Sequence, residues 1–167
     1  MPIPPFLAEL RELVGTRPLW LMSTHAAVTN SAGDLLLCRR SDDDQWSLPG
    51  GIIEPGEHPA DAVVRECHEE AGIMVEPTSL ALVDVSPTFT YPSGDRAQYL
   101  DLVFRCNHAS GHANVADDES TAVEWFSPHH LPVLDRYQLR QIEIALTDAQ
   151  QTVFTSMTGE VKFGVED

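Results

Sequence analysis

Positive charge is scarce in this sequence. Lys and Arg total 10 against 26 Asp and Glu, a formal net charge of −16 with histidine neutral. Such a chain repels a phosphate backbone, which excludes non-specific binding of DNA or RNA. A small anionic substrate remains open to it, provided divalent cations or a local arginine cluster supply the counter-charge. Cysteine is scarce too. Cys38, Cys67 and Cys106 are odd in number and widely spaced, which fits neither a disulfide framework nor a zinc pattern and suits a reducing cytoplasm. Long apolar runs are absent: nothing approaches the ~18 residues of a membrane span. The N-terminal MPIPPFLAELRELVG lacks the basic start and unbroken apolar stretch of a signal peptide. No HExxH or GxSxG occurs, so zinc-protease and serine-hydrolase chemistry has no support. Internal repeats and low-complexity tracts are missing as well. What is present is ordinary globular composition, 43% apolar and 22% charged over 167 residues. A chain of that length buries roughly 70% of its unfolded surface and needs no staples. The expectation is one acidic cytoplasmic domain, monomer or homodimer, with neither nucleic acid nor membrane as partner.

Strand and helix patterns alternate, which predicts an α/β layered domain. After Pro4-Pro5, the residues Phe6, Leu7, Leu10, Leu13 and Val14 recur at helical spacing and Gly15 stops them. The reading is a short amphipathic helix over 5–14, in an N-terminal extension (1–18) outside the main fold. The main domain is expected over 19–148. Residues 19–29 read as a buried strand, 30–34 as a turn and 35–39 as the second arm of a hairpin. Further strands are predicted over 79–86, 97–106 and 121–126, with a turn at 91–95 and loops at 42–44 and 107–118. Helix signals are strongest over 58–71, with Pro59 in the first turn and Gly72 as the stop. Asp135, three residues before Gln138, resembles a capping box for an amphipathic helix that reaches about residue 148. Residues 149–167 have weak periodicity and read as a mobile tail.

The helix over 58–71 carries Glu66, Glu69 and Glu70, spaced i, i+3, i+4. At about 100° per residue these side chains fall within roughly a 100° arc. Val63, Val64, Cys67 and Ala71 fall opposite, so one face packs and the other presents carboxylates. A plain solvated face is the simplest explanation of three glutamates. Against it, like charges at i, i+4 destabilise a helix by a few tenths of a kcal/mol, and Arg65 is the only Lys or Arg in the helix. Pro49-Gly50-Gly51 adds a glycine turn where backbone can approach a ligand closely. Hard oxygen donors grouped in this way suit Mg²⁺ or Mn²⁺ rather than zinc. Cations placed between these anions and a polyphosphate would cancel their repulsion.

Gly51, Glu57 and then Arg65-Glu66-Cys67-His68-Glu69-Glu70-Ala71-Gly72-Ile73 match the spacing G-x5-E-x7-R-E-U-x-E-E-x-G-U, where U is a bulky aliphatic residue. This stretch resembles the box of the Nudix (MutT-like) hydrolases at every charged and glycine position. One position departs: Cys67 stands at the first U, where a small apolar side chain still suits a packed face. More loosely, Leu36-Leu37, Arg39-Arg40, Trp46 and Leu48-Pro49-Gly50-Gly51 resemble the lead-in of many members. The resemblance implies an α/β/α sandwich with a mixed sheet, and metal-dependent hydrolysis of a nucleoside diphosphate linked to a group X. It implies metal ligands at Gly51 (by its carbonyl), Glu66, Glu69, Glu70 and the loop residue Glu119. It also implies a supporting salt bridge between Glu57 and Arg65, and a catalytic base among Glu69, Glu70 and Glu119.

Other candidates are weaker. Arg39 and Arg40 would flank the cleft, where an arginine fork can clamp phosphate, and Trp46 would stack on a base or simply pack. His68 points away from the glutamate arc, His58 opens the helix, and His129-His130 lie in a loop. For the substrate two single-residue markers conflict: Pro87 resembles that of the ADP-ribose branch and Tyr91 that of the dinucleoside polyphosphate branch. ADP-ribose or a similar nucleotide sugar is the favoured small-molecule substrate. Hydrolysis of an (oxidised) nucleoside triphosphate or a dinucleoside polyphosphate is the alternative. A nucleotide sensor without hydrolysis is a further class, and the intact glutamates speak against it.

Overall fold

A computed structural model of the chain describes residues 3–147, 151–156 and 161–162. Its elements run α1 (Pro5–Val14), β1 (Leu19–Thr29), β2 (Leu35–Arg40), β3 (Trp46–Ser47), β4 (Gly50–Ile52), α2 (Pro59–Ala71) and β5 (Ile73–Val85). There follow β6 (Phe89–Thr90), β7 (Arg96–Gly111), β8 (Ser120–Phe126), α3 (Arg136–Ala145), β9 (Val153–Thr155) and β10 (Val161–Lys162). The strands form one mixed sheet in the order β10-β9-β5-β7-β1-β2-β3, with β4 on β1, β6 on β7 and β8 on β2. Its centre is the parallel pair β1/β7, in register from Leu19↔Ala97 to Thr29↔Asn107.

Strand alternation sorts the apolar side chains into two layers. Ala26, Val28, Leu36 and Cys38 turn to one face and pack under α2 with Val63, Cys67 and Ala71. Ala27, Leu35 and Leu37 turn to the other and pack under α3 with Ile142 and Ala145. Helix, sheet, helix: the expected α/β/α sandwich is the fold.

Five local expectations need correction. Helix α1 does not stand outside the fold. Its Leu7 is buried with Leu21, Ile52 and Ala97, because the apolar stripe has the open ends of β1, β4 and β7 to cover. Arg11 fastens it, donating to the carbonyls of Gly15, Arg17 and Arg96 at 3.0, 2.7 and 2.8 Å and pairing with Asp95 at 3.4 Å. The hairpin of β1 and β2 pairs only at Thr29↔Leu35. Beyond that the strands part, since β4 takes the free edge of β1 and β8 runs along β2 from Leu35↔Phe126 to Arg40↔Ser120. Strand β5 starts directly after α2 and not at residue 79, although Pro77 interrupts the pattern; register shifts on either side absorb the proline. Strand β7 runs on to Gly111 because the early part of β5 needs a partner, as in Ile73↔Gly111 and Val75↔His108. Finally, part of the presumed tail is sheet. β9 pairs in parallel with β5, and Val153 is buried beside Leu82; residues 148–150, 157–160 and 163–167 lie outside the described ones.

Candidate active site

Helix α2 opens with His58 in extended conformation and Pro59 at its first position, and ends at Gly72 in the left-handed region (φ 66°). That conformation favours glycine, and a Cβ there would also lie 2.5 Å from Asn114 Oδ1. The apolar stripe of Val63, Cys67 and Ala71 fixes the helix's rotation on the sheet. Glu66 and Glu70, one turn apart, are thereby pressed against β4 and retain only 9% and 8% exposure. Glu69 and His68 are exposed. The predicted arc therefore divides into two buried carboxylates and one solvated one.

Strand β4 meets these carboxylates with backbone. The Gly50 N–H donates to Glu70 Oε2 at 3.3 Å. A Cβ on Gly51 would lie 2.4 Å from Glu66 Oε1, so only glycine fits where strand and carboxylate touch. Arg65 is the hub. Its Nε and Nη2 donate to the two oxygens of Glu57 at 2.8 and 2.9 Å, its Nη1 donates to Glu66 at 2.8 Å and to Glu69 at 3.0 Å, and Nη2 also reaches the Ile52 carbonyl at 3.2 Å. The Glu57–Arg65 bridge that the family resemblance implied is present. It joins the loop before α2 to the helix, and the guanidinium holds the Glu57 carboxyl below its ordinary value.

Burial pushes the Glu66 carboxyl up to about 7, aided by the charges of Glu69 and Glu119 and opposed by Arg65. Burial, then the charge of Glu66, pushes Glu70 well above the carboxylate range, opposed by the Gly50 N–H. Glu119 is raised by its own partial burial and by Asp117. It lines a small cavity with Glu70, Cys38, Arg40 and Asp42. Among the described residues, no three His, Cys, Asp or Glu side chains already stand as a set of metal ligands; here Arg65 holds Glu66 and Glu69. The donors nevertheless fit a hard divalent cation. Glu119 raises the proton affinity of both Glu66 and Glu70, and Glu66 that of Glu70, in a part-dry site; a cation between them would remove that repulsion.

The family model of the NUDIX domain matches residues 21–147. The chain belongs to the NUDIX domain family. A MutT-like protein of Streptomyces ambofaciens is 40% identical over 111 residues, 66% of this chain and 66% of that one. The nucleoside triphosphatase NudI of Escherichia coli is 33% identical over 109 residues, 59% of this chain and 77% of NudI. Among solved structures, the MutT protein of Methanosarcina mazei Go1 superposes with a TM-score of 0.66 at 25% identity, over 77% of this chain and 94% of its own. A UDP-X diphosphatase superposes with a TM-score of 0.62 at 27% identity, over 84% and 68%. As a Nudix hydrolase, this chain is a pyrophosphatase of the class that acts on phosphoric anhydride bonds.

On the other side of Gly50-Gly51 from Glu66 and Glu70 lies a cleft of about 360 Å³, lined by those two glycines together with Ser23, His25, Asp101, Trp46, Tyr91 and Tyr137. That volume suits a nucleotide-sized ligand. Arg40 lines it, bonded to Asp42 at 2.9 and 2.5 Å, while Arg39 is turned to Asp44 at 2.5 Å and is not among the lining residues. Successive strand residues face opposite ways, which separates the two arginines. Trp46 both lines the cleft and packs edge-on against Phe126 with ring centroids 5.0 Å apart. Tyr91 lines the cleft; Pro87 is exposed and does not.

The cleft floor went unseen in the sequence reading. Asp101 is 2% exposed and accepts from the hydroxyls of Ser23 and Tyr137 and from Gln141 Nε2 at 3.4 Å, with His25 Nε2 at 3.8 Å. A signal existed: Asp101 is one carboxylate inside the apolar run Tyr99-Leu100-Asp101-Leu102-Val103-Phe104. A charge at a core position of a central strand needs partners.

Proposed function

We propose that this chain hydrolyses a nucleoside diphosphate linked to a group X in the presence of Mg²⁺ or Mn²⁺, and that ADP-ribose or a similar nucleotide sugar is its substrate class. The observation that carries this reading is the pair of buried carboxylates Glu66 and Glu70, set against Gly50-Gly51 beside a nucleotide-sized cleft. Buried anions without an adequate counter-ion are costly; Arg65 is already shared among Glu57, Glu66 and Glu69, and Arg40, beside Glu70 and Glu119, is bonded to Asp42. Glu66, Glu69, Glu70 and Glu119, with the Gly51 carbonyl, would hold the divalent cation. When bound, the cation withdraws charge from the phosphorus and offsets the negative charge that builds in the transition state.

The protein's own residues supply the rest. Arg65, tied to Glu57, keeps the loop before α2 and the helix in one position, so Glu66 and Glu70 stay against Gly50-Gly51 at the cleft's edge. Arg40 stands where a phosphate oxygen would enter. Glu69, Glu70 and Glu119 are the candidates to take a proton from the attacking water. Cleavage of ADP-ribose consumes one water and yields AMP and ribose 5-phosphate.

Support for a nucleotide with an organic X comes from the cleft, whose lining holds Arg40 as its only Lys or Arg, and from the structural likeness to a UDP-X diphosphatase. A second reading, hydrolysis of nucleoside triphosphates, is favoured by the 33% identity with NudI. A panel of nucleotides incubated with Mg²⁺ or Mn²⁺ and scored by product masses separates the two. Turnover of triphosphates alone would select the second reading, and no turnover of any nucleotide would reject both.

A further inference from the structure

A second cavity of about 220 Å³ lies between α1 and the turn at 91–95, bounded by Ile3, Leu7, Leu21, Ile52, Tyr91 and Tyr99. It shares Asp42, Ile52, Tyr91, Pro92 and Tyr99 with the main cleft, so the two are neighbouring parts of one trench. The tyrosines divide them, their hydroxyls hydrogen-bonded at 2.7 Å. Strand β4 spans the junction: Gly50 bonds Glu70, Gly51 touches Glu66, and the next residue, Ile52, borders both cavities. A diphosphate held at Gly50-Gly51 therefore has room for an organic group on either side.

Chemistry limits what the second cavity can take. Its one cation, Arg11, is committed to three backbone carbonyls and to Asp95. Its other charged side chains, Asp42 and Asp95, are acidic. Asp42 is paired with Arg40 and Asp95 with Arg11, so the cavity offers a phosphate no free cation among its lining residues. An uncharged group that lays an apolar face on Tyr91 and Tyr99 and donates hydroxyls to Asp42, Ser93 or Asp95 would fit, and a sugar has both properties.

We propose that the cavity between α1 and the 91–95 turn is the subsite for group X, and that X is an uncharged, hydroxyl-bearing sugar. This rests on the reading of the Nudix site given above. The N-terminal helix is then part of the specificity machinery, with Leu7 and Ile3 setting the depth and mouth of the subsite.

The test narrows the cavity and compares two ligands. Leu7→Phe fills its wall; Ile3→Trp, at an exposed position, obstructs its mouth with little risk to folding. Steady-state kcat/KM is measured on ADP-ribose and on ATP. Equilibrium binding of ADP-ribose and AMP is measured separately without metal. In the parent, ADP-ribose binds at least tenfold tighter than AMP. Each variant lowers the ratio of kcat/KM for ADP-ribose to that for ATP at least tenfold and removes the binding difference. Unchanged ratios in a folded Ile3→Trp, or a parent that binds ADP-ribose no better than AMP, would overturn the subsite. A parent that turns over ATP but not ADP-ribose would overturn the sugar. A parent that turns over neither would overturn the reading of the Nudix site itself, and the subsite with it.

Discussion

Glu66 and Glu70 differ from Glu69 in what surrounds them more than in spacing. The first two are pressed onto β4 and largely dry, whereas Glu69 is solvated and held by Arg65. Neutralising either Glu69 or Glu70 as glutamine keeps the shape and removes a charge the transition state needs. Each variant should lower kcat by on the order of 10³, roughly 4 kcal/mol, while His68→Ala, on the exposed side, should change it little. Equal losses at His68 and Glu69 in steady-state kinetics would show the helix face to be misassigned. Burial also sets a pH dependence. The folded Glu66 carboxyl titrates at about 7 against an ordinary 4.5. Below about 4.5 both folded and unfolded chains are protonated there. Between the two values the folded state keeps a proton that the unfolded chain has released, so metal-free stability falls as pH rises and the loss is complete above about 7. Burial raises Glu70 as well, which adds a slope of the same sign. Thermal melts in chelator from pH 4.5 to 8 should show this slope, and Glu66→Gln/Glu70→Gln should flatten it. A double variant with the parent's slope would place the titration elsewhere.

At the scale of elements, the site depends on how α2 is started, rotated and stopped. Gly72 is the stop, and alanine there meets both the left-handed backbone and the Asn114 side chain. Gly72→Ala should cost about 1–2 kcal/mol, seen as a fall in Tm of roughly 2–8 °C for a chain of this size. No change in Tm would mean that the helix end relaxes freely. Helix α2 was legible because its signals are local: Pro59, an apolar stripe at 3.6 spacing and Gly72 all lie within a few residues of one another. The capping side chain of α3 was legible for the same reason, and Asp135 does accept from the Gln138 N–H. Sheet pairing was less so, because it depends on distant partners. Nothing near Asn107 or His108 announces that β5 has begun at Ile73 and needs an edge to pair with. Short β9 was hidden likewise, since its three residues become a strand only beside Leu82 and Val83. The seat of α1 was hidden because an amphipathic stripe shows that a helix has an apolar side, and not which surface covers it.

Over the whole molecule the net charge is −16, and Glu66, Glu70 and Glu119 lie close enough to repel one another; a divalent cation is the natural complement. Because it binds the folded site and hardly the unfolded chain, Mg²⁺ at 100 times its Kd should add about 2.7 kcal/mol of stability. That corresponds to roughly 5–10 °C in Tm. The gain should shrink in acid, where protons compete for the same oxygens. A double variant Glu66→Gln/Glu70→Gln that gains as much as the parent would move the ion elsewhere, with Asp42-Asp43-Asp44 the first place to look. The carboxylate helix and its glycine turn were legible in the sequence because fixed spacing maps directly onto one helix and one tight approach. The cleft floor at His25 and Asp101 was not, because β1 and β7 bring those residues together across the sheet. The central claim is that the α2 carboxylates serve a metal-dependent pyrophosphatase, and one measurement reaches it most directly. ADP-ribose is incubated with parent and with Glu66→Gln/Glu70→Gln, in Mg²⁺ and in excess EDTA, and the products are weighed. The account predicts AMP and ribose 5-phosphate from the parent in Mg²⁺ alone; the same products in EDTA, or from the double variant at the parent's rate, would contradict it.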